Sequence, residues 1–419
     1  IFNLATDGNG DGLRDIAFSR RLLEFGTRNS SFTRDFYRFV LGFEGDILND
    51  KFHWDVSYNY GSTRESQEGN GQVNIANFQN ALDVVPAGTI PGTIGAQCAS
   101  AQARAAGCVP VNVFGQGSIS SAAVNYIQAN QTFQTRIQQQ VVQGNVSGSL
   151  FDLPAGPLGI AIGAEYRQEK SSENNDSLTN QGLNGGNALP DTRGQFNVKE
   201  AYAEINIPVI HDTPFIQQLN LRAAGRASDY STVGKVYSYS GGVEWVPIED
   251  IKFTGTYARA VRAPNIGELF QGPAQTFPTG LVDPCIGVTA ASTGTLATVC
   301  RGGAAGLASA GVAANIAANG AFTATQLDRQ GVSGFNRGNP NLTEEKSDSY
   351  TAGVIINPKS IEALRNLTLR VDYYNIKIKD AVVGVPRQVI LNKCFEEGDQ
   401  NFCQFIRRRA AGTAVNSVG

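Results

Sequence analysis

The sequence predicts an all-β protein, an antiparallel transmembrane β-barrel with long external loops. Three observations carry this. Apolar and polar residues alternate with period two over many segments. The connections between those segments alternate between short and long. No apolar run approaches the roughly 20 residues that a membrane-spanning helix needs. Ribbons with one oily and one wet face, joined by tight turns at one end and long excursions at the other, fit a wall between lipid and an aqueous lumen.

The chain opens with a candidate ion loop. "DGNGDG", Asp7 to Gly12, places Asp7, Asn9 and Asp11 at the i, i+2, i+4 oxygen spacing of a calcium loop, with Gly12 at the sharp turn. Where a bidentate Glu belongs, this chain has Phe18, and Asp15 is the further carboxylate nearby. A calcium site and a plain Gly/Asp turn both remain open readings.

The first strand carries Tyr37, Phe39, Leu41, Phe43 and Ile47 on one face and Arg38, Gly42, Glu44 and Asp46 on the other. In the second, Phe52 to Tyr60, the oily residues Phe52, Trp54, Val56, Tyr58 and Tyr60 oppose His53, Asp55, Ser57 and Asn59. Further strands are predicted over Leu158–Tyr166, Leu219–Ala227, Val236–Val246, Tyr350–Asn357 and Leu367–Tyr373. In "LNLRAAGRAS" the wet face holds Asn220, Arg222, Arg226 and Ser228. After Tyr373 the phase slips to Ile376 and Ile378, which predicts a bulge. The count comes to about eleven strands, an odd number that leaves both edges unpaired, so by this count the chain as given does not close alone.

Short connections fall at Leu48–Lys51, Asp152–Pro157, His211–Gln218, Pro247–Asp250 and Pro358–Asn366. Long ones run over Gly61–Gln134, Lys170–Gln195, Gln271–Lys346 and from Gly384 onward, with the brief "DYSTVGK" near Asp229 as the exception. The six cysteines form three close pairs on the long-loop side, Cys98 with Cys108, Cys285 with Cys300 and Cys394 with Cys403. Local pairing is the cheapest closure, worth roughly 3 kcal/mol each in the chain-entropy model, and it places the protein outside the cytoplasm. "SISSAAVNYIQANQ" reads as a short loop helix capped by Ser118 or Ser120, and Gly302 to Gly320 as a loop with helical turns.

A net charge of -3 with scattered Lys and Arg argues against a nucleic-acid partner, and none is expected. The two histidines, His53 and His211, have no catalytic motif beside them, so no enzyme is expected. A soluble β-sandwich is the competing reading of the alternation, and loops of about 70 residues on one end weigh against it. Tyr58, Tyr60, Trp245 and Tyr257 near strand ends fit an interfacial girdle as well as an ordinary core rim. The chain has no Met, so Ile1 is expected to be internal to a longer precursor.

Two stretches carry a family resemblance. "YARAVRAPNIGELF" has Tyr257, Val261, Arg262, Ala263, Pro264, Glu268, Leu269 and Phe270, and "GNPNLTEEKSDSYTAGVIINP" has Asn339, Pro340, Leu342, Glu345 and Ser347. Both resemble the barrel of TonB-dependent outer-membrane receptors, as do Cys108–Ile127 and Arg20–Ser31. The resemblance implies that residues 1–419 are the middle part of a barrel of roughly 22 strands. The family's plug domain, TonB box and last strands are absent from this stretch. It further implies a Gram-negative outer-membrane importer for a scarce small-molecule solute, a ferric siderophore first and an oligosaccharide next, partnered by outer-membrane lipid and, through a segment outside this chain, the TonB complex. A passive channel or structural barrel is the alternative.

Strand parity then nominates Arg38, Glu44, Asp55, Arg222, Arg226 and Arg262 as lining the passage. Pro264, Glu268, Asn339 and Pro340 are expected to anchor a loop: Pro264 ends ladder pairing for want of an N–H, and Glu268 pairs with Arg262 or Arg259. Arg259 falls among the oily residues, so it is expected to snorkel to the headgroups or to follow a bulge.

Overall fold

The computed structural model describes residues 20–302, 310–324, 329 and 332–408; Asp7, Asn9 and Asp11 lie outside them. The first strands are β1 (Ser30–Ile47) and β2 (Phe52–Val73), followed by helix α1 (Ile75–Leu82), the short pair β3 (Val84–Val85) and β4 (Gln97–Cys98), and helices α2 (Ala101–Ala105) and α3 (Ser121–Ile127). Next come β5 (Gln128–Leu153), β6 (Gly156–Asn175), α4 (Ser177–Gln181), β7 (Thr192–Thr213), β8 (Ile216–Tyr230), β9 (Gly234–Ile248) and β10 (Ile251–Arg262). A long connection then holds α5 (Ile266–Phe270), β11 (Ala274–Thr276), α6 (Thr295–Cys300), α7 (Ala310–Asn319) and β12 (Gly334–Asn336). The described chain ends with β13 (Glu345–Ile356), β14 (Leu369–Lys379), α8 (Arg387–Phe395) and α9 (Gln400–Cys403).

One sheet takes ten of these strands in the order β1-β2-β5-β6-β7-β8-β9-β10-β13-β14, one fewer among the described residues than the approximate count from the sequence. Every pairing from β7 to β14 is antiparallel. β2, β5, β6 and β7 reach 22, 26, 20 and 22 residues, well past the roughly 9–11 that span a bilayer. The long connections are correspondingly shorter than the sequence predicts, residues 74–127 and 176–191 in the first two cases. The extra lengths are polar on both faces, as in "STRESQEGN" of β2, so no oily phase marks them as strand.

Two further expectations change. No bulge interrupts β14: its pairing with β13 is continuous from Leu369↔Ile356 to Lys379↔Lys346. The side chains change character instead, with Leu369, Val371 and Tyr373 on one face and Tyr374, Ile376 and Ile378 on the other. Register does slip between Pro208 and Ile210, where the proline cannot donate to the ladder, and between Ile251 and Phe253.

The sheet is inverted with respect to a water-soluble protein. Tyr350 and Tyr373 are 56% and 64% exposed, whereas the polar Glu200, Asn220 and Ser228 are buried. Among the described residues both buried apolar clusters lie in or beside connecting segments, and neither is a core beneath the sheet. In a bilayer exposed tyrosine, valine and phenylalanine face hydrocarbon, and the absence of such a core is what a lipid-spanning wall requires.

The register arranges the apolar face in rows. Trp245, Phe253, Val354 and Val371 form one, then Val243, Gly255, Ala352 and Tyr373, then Gly241, Tyr257, Tyr350 and Asn375. Trp245 stacks on Phe253 at 5.3 Å between ring centroids, and Tyr257 lies between Tyr239 at 6.1 Å and Tyr350 at 4.8 Å. The next row is Tyr239, Arg259, Asp348 and Lys377, and beyond it stand Val261, Lys346 and Lys379.

The described residues fall into two compact units, one taking those within 20–37, 63–137 and 172–191, the other those within 38–62, 138–171 and 192–408. The first packs Phe25, Ala81, Ile119, Ala123 and Ile127 into a small core beside the Cys98–Cys108 disulfide. α3 is capped by Ser120, while the Ser118 hydroxyl donates to the Asn112 and Gly115 carbonyls. α4 is capped by Asp176; burial alone would raise this carboxyl, but the Thr179 hydroxyl and the Thr179, Thr132 and Leu178 N–H groups hold it below the usual carboxylate range.

In the second unit two disulfides, Cys285–Cys300 and Cys394–Cys403, sit in one apolar cluster with Val288, Val299, Val312, Ile316 and Phe395. Arg408 donates to both oxygens of Asp283 at 2.7 Å and lies over the rings of Phe395 and Phe322. Gln388 exchanges two 2.9 Å hydrogen bonds with the Val282 backbone. The β10–β13 connection and the segment after β14 therefore share one cap.

Candidate functional site

Two arrangements concentrate the polar side chains of the second unit. The first begins where β10 ends. Arg262 and Glu345 are paired across β10 and β13, and Arg262 donates to Glu345 at 2.7 and 2.9 Å and to Glu268 at 3.0 and 3.1 Å. One guanidinium thus spans two carboxylates with its planar fork. Glu268 also takes the Asn265 N–H at 2.8 Å while Asn265 caps α5 by accepting from the Glu268 N–H at 2.9 Å, a reciprocal capping box. Burial would raise the Glu268 carboxyl, yet Arg262 and the Asn265 N–H outweigh it and hold it below the usual carboxylate range. Glu345 reaches β14's exit as well, accepting the Val382 N–H at 2.6 Å.

The "GNPN" segment closes the same knot. Asn339 N–H donates to the Glu268 carbonyl and Gly338 N–H to the Gln271 carbonyl, both at 2.8 Å. A Cβ on Gly338 would stand 2.7 Å from the Leu269 carbonyl carbon and the Gln271 nitrogen, so only glycine lets the two backbones meet. Asn341 N–H donates to the Asn339 side chain and Pro264 is fully buried. Pro264, Glu268 and Asn339 are thereby gathered around the exit of β10, with Pro340 next to Asn339 in the chain. Glu268 takes Arg262 as its partner and not Arg259.

Arg259 finds a carboxylate partner within the sheet. It pairs with Asp348 directly across the ladder at 2.8 and 3.1 Å, lies over the Tyr239 ring, and shares Asp348 with the Tyr257 hydroxyl at 3.0 Å. A cross-strand carboxylate at the same register position is the partner that periodicity alone could not reveal.

The second arrangement runs along the wet face. Asn145 of β5 donates to Asp55 of β2 at 2.8 Å, and the Tyr202 hydroxyl of β7 donates to Asn145. Arg226 of β8 lies 4.4 Å over the Tyr202 ring and donates to Glu200 at 2.9 Å, which also accepts from the Ser228 hydroxyl at 2.5 Å. Tyr202 reaches β5 by crossing β6 at Gly163, where a Cβ would collide with the Tyr202 ring carbon Cζ and with Asn145 Oδ1. Asp55 and Arg226 thus belong to one chain of contacts. Arg38 donates to Asn59 at 2.9 Å, and Arg222 to Asn206 at 3.3 Å. Glu44 shares the wet face of β1 with Arg38.

Asn145, Glu200 and Tyr202 are absent from the sequence-based set of passage residues. The alternating polar positions of "KEAYAEIN" were the available signal, and a tyrosine at a wet position disguised it. Among the described residues no group of three or more His, Cys, Asp or Glu is placed to hold a metal ion, and no helix is long and apolar enough to cross a membrane.

An apolar face bare of protein, a polar face knit across five strands and strand exits tied by Arg262 together describe a membrane wall. A family model described as "TonB dependent receptor-like, beta-barrel" matches residues 2–417. The chain belongs to this family. TonB-dependent receptors are outer-membrane proteins of Gram-negative bacteria, receptors and transporters rather than enzymes. Among solved structures, this TonB-dependent receptor chain is similar to the siderophore receptor PirA from Acinetobacter baumannii, with 15% identity, TM-score 0.45, and coverage of 84% of this chain and 35% of that one. It is also similar to a mutant of the ferric enterobactin receptor PfeA from Pseudomonas aeruginosa in complex with enterobactin, at 17% identity, TM-score 0.43 and coverage of 84% and 35%. A third is the RagAB peptide transporter, at 11% identity, TM-score 0.45 and coverage of 87% and 32%. The chain thus spans about a third of the length of these structures. No curated protein sequence matches it.

Proposed function

We infer that this chain is part of an importer that takes up a scarce solute actively, a ferric siderophore first and an oligosaccharide next. The observation that supports this reading best is the polar wall from Asp55 through Asn145, Tyr202 and Arg226 to Glu200 and Ser228. A hydrated polar solute exchanges water for such a wall stepwise, and Arg226, partly exposed beside a buried Glu200, offers it a cation. In this reading Arg38, Glu44, Asp55, Arg222 and Arg226 line the passage. Arg262, Pro264, Glu268, Asn339 and Pro340 hold the loop above it. Energy enters through the TonB complex by way of a segment outside these residues.

Uptake of radiolabelled ferric siderophore by iron-limited cells carrying the full-length receptor tests this. Accumulation is expected against the gradient, to stop when the proton gradient is collapsed, and to fall in Arg226→Ala. Accumulation indifferent to the proton gradient would make the protein a passive channel. Accumulation of a labelled oligosaccharide in place of the siderophore would change the substrate class.

A further inference from the structure

The wet face is buried unevenly, and the cause lies in the rim. β8 and β9 are joined by Ser231, Thr232 and Val233 alone, so their hairpin stops level with Val198, while β7 runs on from Val198 to Thr192, about 20 Å at ~3.3 Å per residue. The rim therefore has a notch between β7 and β10. Just below the notch Glu200, Ser228 and Val236 form one row across β7, β8 and β9, and Val198 stands above Glu200 on the same face. Continuing the β9–β10 ladder from Tyr239↔Arg259 sets Arg262 level with that row. In an open wall these side chains would meet the water of the lumen, yet Val198, Val236, Ser228 and Glu200 are 0, 3, 5 and 8% exposed. Neighbouring strands shield the flanks of such residues, and burial this deep needs something laid over the face.

α5 is the segment placed to cover them. The chain leaves β10 at Arg262, turns through the buried Pro264 and brings Ile266 and Phe270 against Gly194, near the top of β7. A Cβ on Gly194 would stand 2.7 Å from Ile266 Cγ2 and would collide with the Phe270 ring, so the seat exists because this residue has no side chain. From β10 to β7 is three strand spacings of ~4.8 Å, a gap of about 14 Å that the residues from Arg262 to Phe270 bridge. At its root α5 is held by the Arg262 fork and the capping box, and at Gly194 by apolar contact. A bar tied by charge at one end and seated by packing at the other opens at the seat.

We propose that α5 is a clasp over the notch: seated on Gly194 it keeps Glu200 and Ser228 dry and holds Arg226 over Tyr202, and unseated it admits water and solute to the wall above Arg226. Glu200 accepts from both Arg226 and Ser228, and a carboxylate shielded from water grips its partners more firmly than a wet one. The clasp thus sets how free the Arg226 guanidinium is to meet a solute. Gly194, Ile266 and Phe270 are positioning residues for Arg226. The inference rests on this face lining the passage and not on which solute passes.

All six cysteines of the sequence are paired in disulfides, so a thiol placed on the wall is unique within it. Ser228→Cys, or Ser240→Cys two rows lower on β9 where the side chain is partly exposed, is introduced into the full-length receptor, and intact cells are treated with a charged methanethiosulfonate. Ser228→Cys is expected to react about tenfold more slowly than Ser240→Cys, as a buried site reached through local opening does. Gly194→Leu should speed Ser228→Cys by about tenfold and leave Ser240→Cys unchanged. Phe270→Ala added to Gly194→Leu should return the slow rate by making room for the leucine. Ile266→Ala/Phe270→Ala, which empties the seat instead of crowding it, should also speed Ser228→Cys, so the test holds even where the leucine variant fails to fold. Fast labelling of Ser228→Cys with the seat intact, an unchanged rate when the seat is crowded or emptied, or equal acceleration at Ser240→Cys would each overturn the proposal, the last because the whole wall would then have loosened.

Discussion

Phe395→Ala tests whether the two outer segments of the second unit share one core. Phe395 is 0% exposed, packed among Val288, Val299, Val312 and Ile316 and faced by the Arg408 guanidinium at 4.6 Å. Truncating a fully buried phenylalanine costs about 3–5 kcal/mol, of which the lost cation–π contact is about 0.5–1. Both disulfides survive the change, so the covalent loops stay closed. The loss is local and should be read by amide hydrogen exchange at the helices flanking the disulfides. Thr298, Arg301 and Glu396 donate their N–H groups to Gly294, Ala297 and Asn392 at 3.0, 3.1 and 2.8 Å. At about 1.4 kcal/mol per decade, their exchange should quicken by about two to four powers of ten, or reach the unprotected rate if the cap opens more easily than that. Amides of β8 and β9 should not change. Acceleration confined to α8, with α6 untouched, would show that the segments fold separately and would refute the shared core.

Three other outcomes follow from the knot and the polar wall. Glu268 titrates below its ordinary range, so its contribution is complete at neutral pH and is lost as acid carries the solution down through that depressed value; exchange at the α5 amides should rise on acidification, and Glu268→Gln should flatten the response. Gly338→Ala places a methyl against fixed backbone and should cost about 1–3 kcal/mol, seen as lost protection of the Asn339 amide. An unchanged Asn339 would mean that the two backbones can part freely. Gly163→Ala should push Tyr202 off Asn145 and lower the melting temperature in detergent, and a variant as stable as wild type would place the tyrosine elsewhere.

Period-two alternation revealed the sheet because hydrocarbon and water impose opposite demands on its faces. Where both faces are wet, that contrast vanishes, and β2, β5, β6 and β7 therefore run past the predicted ends. At Tyr373 the same rule misled: a change of oily face read as a bulge, while the β13–β14 ladder continues unbroken. The pairing of Arg262 with Glu268 was within reach because six residues separate them across a turn. Arg259 with Asp348, and Tyr202 with Asn145, needed register and a missing side chain at Gly163, neither of which a linear pattern encodes.

The exchange of character along β14 fixes a waterline on the protein. Below Tyr373 the strand presents oil to one side; above it, Lys377 and Lys379 take that side and isoleucines take the other. A strand still immersed could not tolerate the reversal, so the surface of the oil must lie near Asn375, level with Tyr257 and Tyr350 on the neighbouring strands. The draught of the hull can thus be measured by counting residues down from that mark, and a spin label walked along β14 should report oxygen and water trading places there.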